Sequence, residues 1–357
     1  MAFLIPEPLR MILTNPAILD FSSDGPVPYA LRQKITGRPP PLPVGLSLIS
    51  KAVLVTGATG GIGLEAARQL AALGPRSLIL GVRNIPKAER LKVQLEREHP
   101  SVRVVILELN QESLASVDTF VDELYSNETH LDIAILNAGG LVRESRLTVD
   151  GYSPTLQVNF ISTAYLSLRL LPILRTAHSE RDSPSPSIEC SSSGGRLVLV
   201  GSEGHAWTTY ITNPTDACLL SSCRQAPSPS TSEEQYYRSK LFLSLIGREL
   251  GRRLDRREVT VITTTPGFCA SNFFSDQAGL LTRLIKRTTA RSVQQGGALH
   301  VHAATTDGRD IHGGYLRDGK PTLLSKFAQG SEGELLQQQL WEELQTLLRQ
   351  RGYEICI

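Results

Sequence analysis

Cysteine is scarce in this chain: five residues, at 190, 218, 223, 269 and 356, out of 357. None forms a CxxC pair and the odd number leaves one over, which argues against a disulfide framework and for a reducing compartment, the cytoplasm. The seven histidines contain one close pair, His300 and His302, whose i,i+2 spacing faces different sides of a helix, so no metal site is expected. An excess of one charge is missing too, because 37 Lys and Arg against 35 Asp and Glu leave a formal net charge of +2. That balance supplies no basic field for nucleic acid or an anionic membrane. No apolar run reaches the roughly 18 residues of a spanning helix. The apolar start, Met1 to Ile5, is cut by Pro6, Pro8 and Pro16 and has no basic segment ahead of it, so no secretory signal is expected.

What is present is an ordinary globular balance, 41% apolar and 20% charged, over a length that can bury a large core. Residues 1–50 read as an extension that packs on the body, with a stiff proline segment at 38–43. From Lys51 the pattern changes. A continuous apolar run at 52–55 and further strand candidates at 77–82, 102–107, 133–136, 196–200 and 259–264 alternate with helical periodicity at 86–98, 113–125, 150–175 and 233–254. Such alternation predicts βαβ units: an α/β, doubly wound Rossmann fold with a parallel sheet of six to seven strands and helices on both faces. The catalytic domain spans 51–330, with Ser/Pro-rich insertions near 178–194 and 211–232 that read as mobile loops. An amphipathic helix closes the chain at 331–357, with a capping box at 331–334, Leu335, Leu336, Leu340, Leu344, Leu347 and Leu348 on one face, and Gly352 as a C-cap.

The turn Thr56-Gly57-Ala58-Thr59-Gly60-Gly61-Ile62-Gly63 joins the first strand to the first helix. Glycines there allow a tight turn, close approach of backbone to a pyrophosphate and close helix–strand packing, and the helix start offers its N–H groups to phosphate. In isolation the loop is a tight βα turn; between a strand and a helix it predicts dinucleotide binding. The second strand ends in Arg83-Asn84 with no acid to accept from a ribose 2′-hydroxyl, which favours the 2′-phosphate of NADP(H) over NAD.

Tyr236 and Lys240 stand at i,i+4 on a helix and can share one face. A phenol serving as acid–base near pH 7 needs its pKa lowered by about three units, roughly 4 kcal/mol, which a nearby ammonium supplies only in a dehydrated cleft. Tyr237, at i,i+3 from Lys240, is the rival. Ser202 ends the fifth strand at the carboxyl edge, where doubly wound sheets bind ligands, and could hold a carbonyl oxygen or merely cap a turn.

With these residues in place the chain resembles the short-chain dehydrogenase/reductase family. The matches are the glycine turn at 56–63, Leu136-Asn137-Ala138-Gly139, Val158-Asn159, Ser202, Tyr236 with Lys240, and Pro266-Gly267. Arg83-Asn84, Asp150-Gly151-Tyr152, Leu170-Leu171-Pro172 and Gly313-Gly314-Tyr315 make it most similar to the retinol-dehydrogenase-like and WW-domain-oxidoreductase-like reductases. The resemblance implies that Tyr236 donates the proton, Lys240 depresses its pKa and binds the nicotinamide ribose, Ser202 orients the carbonyl and Asn159 holds a relay water. It also implies that Asn137, Ala138, Gly139, Pro266 and Gly267 border the cofactor and that Ser271 faces its carboxamide. Asn110 stands where the family usually has an Asp that reads the adenine. The interval from Ser202 to Tyr236 is longer than the family usually shows, and the apolar residues at 273–274 and 280–285 stand where relatives carry a lid.

The expected activity is therefore NADPH-dependent interconversion of a carbonyl and an alcohol on a lipophilic small molecule, with natural-product tailoring as a role suggested by similarity. The glycine turn also fits Thr-Gly-x-x-Gly-x-x-Gly through Gly57, Gly60 and Gly63, so epimerase or dehydratase chemistry of the extended branch stays open, as does a non-catalytic nucleotide-binding scaffold. Oligomeric state is open as well, a homo-oligomer included.

Overall fold

Strands rich in apolar residues on both sides must be covered on both faces, and the central ones, such as Ala52–Thr56 and Ile133–Leu136, are buried at every position. The computed structural model describes residues 29, 32–33, 37–179, 194–209, 219–228, 230–270, 289–307, 310–354 and 357. The strands are β1 (Ala52–Thr56), β2 (Ser77–Val82), β3 (Arg103–Glu108), β4 (Ile133–Leu136), β5 (Gly195–Val200), β6 (Val259–Thr264), β7 (Gly314–Arg317) and β8 (Lys320–Thr322). They form one sheet in the order β3-β2-β1-β4-β5-β6-β7-β8, parallel throughout except for the β7–β8 hairpin. The eighth strand exceeds the expected six to seven. It is a three-residue edge containing Pro321, turned back by Asp318 (φ 55°) and Gly319 (φ 73°), the left-handed pair that matches a hairpin's twist.

The helices are α1 (Gly61–Ala71), α2 (Ile85–Glu98), α3 (Leu114–Asn127), α4 (Ser162–Ser179), α5 (Ser232–Arg253), α6 (Val293–Thr305) and α7 (Ser331–Gln350). Alternate strand residues serve two cores. Val53, Val55, Leu78 and Leu80 pack with Leu70 of α1, Leu95 of α2 and Val301 of α6. Leu54 and Ile79 belong with Phe120 of α3, Leu166 of α4 and Phe242 of α5. Strand order reverses at β1, so the connections after β1 and β4 leave the sheet in opposite directions and open a crevice at their carboxyl ends.

Three local expectations are corrected. The helix expected over 150–175 starts later, as a short turn Pro154–Leu156 followed by a π turn Gln157–Ile161 that carries Asn159. At α7 the N-cap is Gly330 with no side-chain cap bond, because Glu334 is drawn away to Arg252 at 2.6 and 2.8 Å. Leu335 is exposed and Trp341 takes its place in the buried stripe. The helix does end at Gly352 (φ 80°), with Tyr353 N–H reaching Leu348 O and Gly352 N–H reaching Arg349 O, the paired bonds of a Schellman end. The arginines at the end of α5 partly dock this helix: Arg248 donates to Gln337 Oε1, and Arg253 lies 4.6 Å from the Trp341 ring. The first Ser/Pro-rich segment falls almost wholly on 180–193, outside the described residues, and the second does so in part, at 211–218 and 229. The described 219–228 buries Leu219, Leu220 and Cys223 and lays Arg224 over Tyr152 at 4.3 Å.

Candidate active site

The crevice is a cleft of about 1350 Å³, larger than the roughly 300–1,000 Å³ that holds one drug-sized ligand. Its floor is the glycine turn. Gly57 adopts φ 68° and Gly61 φ 55°, and α1 begins with no side-chain cap and no acid in its first turn, so its first N–H groups are left for an anion. A Cβ on Gly63 would lie 2.6 Å from Gly57 O and collide with the Asn137 amide. That amide donates to Thr56 O at 2.9 Å, and Ala138 N–H donates to Thr56 Oγ1 at 3.0 Å, which locks the ends of β1 and β4 together. Thr59, Gly60, Gly61, Ile62, Gly63, Asn137, Ala138, Gly139, Pro266 and Gly267 all line the cleft, an assembly whose shape fits an extended dinucleotide.

Arg83 lines the same cleft on an exposed arm, its side chain 72% accessible, with Nη1 3.3 Å from Glu112. Glu112 is held more firmly by Arg146, at 2.6 and 3.0 Å, and these hydrogen bonds keep its carboxyl below the usual range. Asn84 faces the cleft while its side chain caps α2 through Lys87 N–H at 2.9 Å. Asn110 is there too, its Oδ1 accepting from Glu112 N–H at 3.2 Å. Lys87, not anticipated from the sequence, brings its Nζ within 3.5 Å of where a Cβ on Gly60 would stand, adding a cation above the glycine turn.

At the other end, α5 presents Tyr236 and Lys240 from successive turns, with Nζ 5.9 Å from the phenol ring centroid. Lys240 is 5% exposed and donates to Val200 O at 2.8 Å. Ser202 caps the turn Glu203–Ala206 by accepting from Gly204 N–H at 3.1 Å, as the turn-cap reading expects, and its side chain also hydrogen-bonds the Tyr236 phenol. Tyr237 is turned against Trp207, with centroids 5.7 Å apart, which leaves Tyr236 as the phenol beside Ser202. The expected acidification of that phenol is reversed here. Burial pushes Tyr236 up to about 12 and outweighs the Ser202 hydrogen bond, while burial brings Lys240 down to about 8. In so dry a site the phenol keeps its proton at neutral pH, and the lysine, though brought down, remains the cationic partner.

Asn159 is fully buried behind this wall. Its Oδ1 accepts from Gly140 N–H at 2.8 Å and its Nδ2 donates to Gly140 O at 2.9 Å and Ser239 Oγ at 3.0 Å, so the side chain braces the loop after β4. Ser271 and the apolar residues at 273–274 and 280–285 lie outside the described residues. Glu203, beside Ser202, carried no signal in the sequence. It is buried with Arg317 at 2.7 Å and accepts from Tyr315 OH at 2.8 Å, which pins the turn after Ser202 to β7. Trp207 and Tyr29 line the cleft as well and also escaped notice.

A doubly wound parallel sheet with a glycine turn at its switch point and a serine, tyrosine and lysine grouped at the carboxyl edge defines a class of dinucleotide-type α/β protein. Comparison with known proteins agrees. The short chain dehydrogenase family model matches residues 51–203. The chain is 59% identical to the short chain dehydrogenase resG of Aspergillus sclerotiorum, over 98% of this chain and 97% of that protein. It is 31% identical to the short chain dehydrogenase macD of Penicillium terrestre, over 85% and 92%. Among solved structures, the NADPH-bound carbonyl reductase from chicken fatty liver superposes with a TM-score of 0.54 at 21% identity, over 77% of this chain and 99% of that one. The chain belongs to the short-chain dehydrogenase/reductase family and is an enzyme of that family.

Proposed function

We propose that this enzyme interconverts a carbonyl and an alcohol on a lipophilic small molecule with NADP(H), using Tyr236 as the proton donor in the direction of reduction. The observation that carries this is the buried phenol hydrogen-bonded to Ser202, one helical turn from Lys240. When bound, the nicotinamide cofactor supplies the hydride. The chain's own residues do the rest. Ser202 and Tyr236 offer two hydroxyls to one substrate oxygen, and the phenol delivers its proton there as negative charge develops. Lys240, charged and dehydrated, steadies the phenolate that remains. Arg83 and Lys87 supply positive charge where a 2′-phosphate and the pyrophosphate would lie, which is why NADP(H) is favoured over NAD(H). Leu141, Val142, Trp207 and Phe268 give the cleft apolar lining beside the charged Arg143 and Glu233, and that apolar lining supports a lipophilic partner. We place the reaction in the cytoplasm, a reading supported by the free thiol of Cys269, and favour tailoring of a natural product, a context supported by kinship with dehydrogenases of filamentous fungi.

The test is NADPH oxidation followed at 340 nm (a general property of the reduced nicotinamide ring) across a panel of apolar ketones and aldehydes. Turnover with at least one, and much less with NADH, is expected. Tight NADPH binding with no turnover anywhere would instead leave a nucleotide-binding scaffold.

A further inference from the structure

The described part of the amino-terminal extension reaches the active site at two points. Gln33 clamps Phe268, its Nε2 donating to the Phe268 carbonyl at 2.9 Å and its Oε1 accepting from Phe268 N–H at 2.6 Å, immediately after Pro266-Gly267. Arg291 ties the same segments together, donating to Gly37 O at 2.9 Å and to Pro266 O at 3.2 Å. Tyr29 then enters the cleft wall, 3% exposed, and begins a row of rings. Tyr29 meets Trp207 at 6.0 Å, Trp207 meets Tyr237 at 5.7 Å, and Tyr237 meets Tyr236 at 5.9 Å, each pair edge to face. Those separations lie within the favourable range for aromatic pairs. The row therefore runs without a break from the extension to the proton donor.

Proton donation by Tyr236 requires none of the other three rings. A flat substrate gains area and favourable quadrupole contacts along such a row, whereas a short acyclic carbonyl touches little of it. We propose that Tyr29 is a specificity-determining residue, forming with Trp207 and Tyr237 an aromatic wall that selects flat, ring-bearing carbonyl compounds, so that the extension is part of the active site. This rests on the reductase reading above. Among the described residues the buried hydroxyl of Tyr29 has no hydrogen-bond partner, so the ring is what acts.

The test compares 9,10-phenanthrenequinone, a flat tricyclic diketone, with 2,3-butanedione, an acyclic one, in the wild type and in the Tyr29→Phe, Tyr29→Leu and Tyr29→Ala variants. Turnover with NADPH is measured alongside calorimetric binding of each diketone to the NADP-loaded protein. Loss of one ring from the wall is expected to raise KM for the quinone about tenfold in Y29L and Y29A. Y29F should match the wild type, and butanedione and NADPH should be unaffected. Y29L keeps the site filled, and an unchanged melting temperature in it separates recognition from folding. Equal losses on both diketones, no loss on either, or failure of the NADP-loaded wild type to bind the quinone would overturn the proposal. Quinone bound by the wild type and lost in Y29L, with no turnover in any variant, would support the wall and count against the reductase reading alone.

Discussion

Replacing Arg83 with Ala should weaken NADPH and spare NADH, and the structure sets the size of the effect. The guanidinium is 72% exposed, so its attraction for a phosphate about 4 Å away lies near the high-dielectric limit of about 1 kcal/mol per unit charge rather than the 4 kcal/mol of a half-buried site. A 2′-phosphate carries a charge of about −1.5 to −2, which raises the gain to about 2 kcal/mol. Against this stands the exposed pair with Glu112 at 3.3 Å, worth about 0.5 kcal/mol and given up when the arm turns to the phosphate. It is given up cheaply, because Arg146 already satisfies both oxygens of Glu112. The net, about 1.5 kcal/mol, corresponds to a roughly tenfold rise in KM for NADPH with kcat unchanged and NADH altered less than twofold. The gap should shrink in 0.5 M salt, where an exposed pair is screened. Steady-state kinetics with both cofactors at two ionic strengths decides it. Equal effects on NADPH and NADH would refute the assignment of Arg83 to the 2′-phosphate.

Other consequences are equally concrete. His300 is fully buried with neither ring nitrogen hydrogen-bonded among the described residues, and burial, then Lys240, hold its pKa down to about 3. The unfolded chain takes up this proton below about pH 6.5 while the folded one does not, so stability is complete above 6.5 and falls by about 1.4 kcal/mol per pH unit beneath it. His300→Leu should be at least as stable at pH 7 and should lose about 2 kcal/mol less than the wild type by pH 5 in urea titrations; equal acid sensitivity would contradict the buried neutral ring. Gly63→Ala puts a methyl into Gly57 O and the Asn137 amide, and should cost about 1–3 kcal/mol and most NADPH affinity. Gly140→Ala meets nothing within 4 Å and should melt like the wild type; matching melting curves for the two would show the glycine turn to be looser than described.

The parts legible in the sequence share a physical reason. Parallel strands buried on both faces are continuous apolar runs, so β1 to β6 could be placed to within a residue or two, and the glycine turn needs its residue types whatever surrounds it. Pairing across long separations was not legible. Nothing local marks Glu203 as the partner of Arg317, Glu334 as a ligand of Arg252 rather than a cap, or Tyr29 as a neighbour of Trp207. The sense of the Tyr236 shift was misread for a related reason. The charge of Lys240 can be read from the sequence, but the dehydration that pushes the phenol up depends on how completely β5, α5 and the turn after Ser202 close around it.

The central assignment is a protonated Tyr236 phenol delivering its proton to the substrate oxygen. The most direct measurement is single-turnover reduction of a ketone that the wild type accepts, by NADPH-loaded wild-type and Tyr236→Phe proteins, with cofactor affinity measured in parallel. Hydride transfer slowed by at least about a thousandfold at unchanged NADPH affinity is the predicted result. Reduction at the wild-type rate by the phenylalanine variant would contradict it.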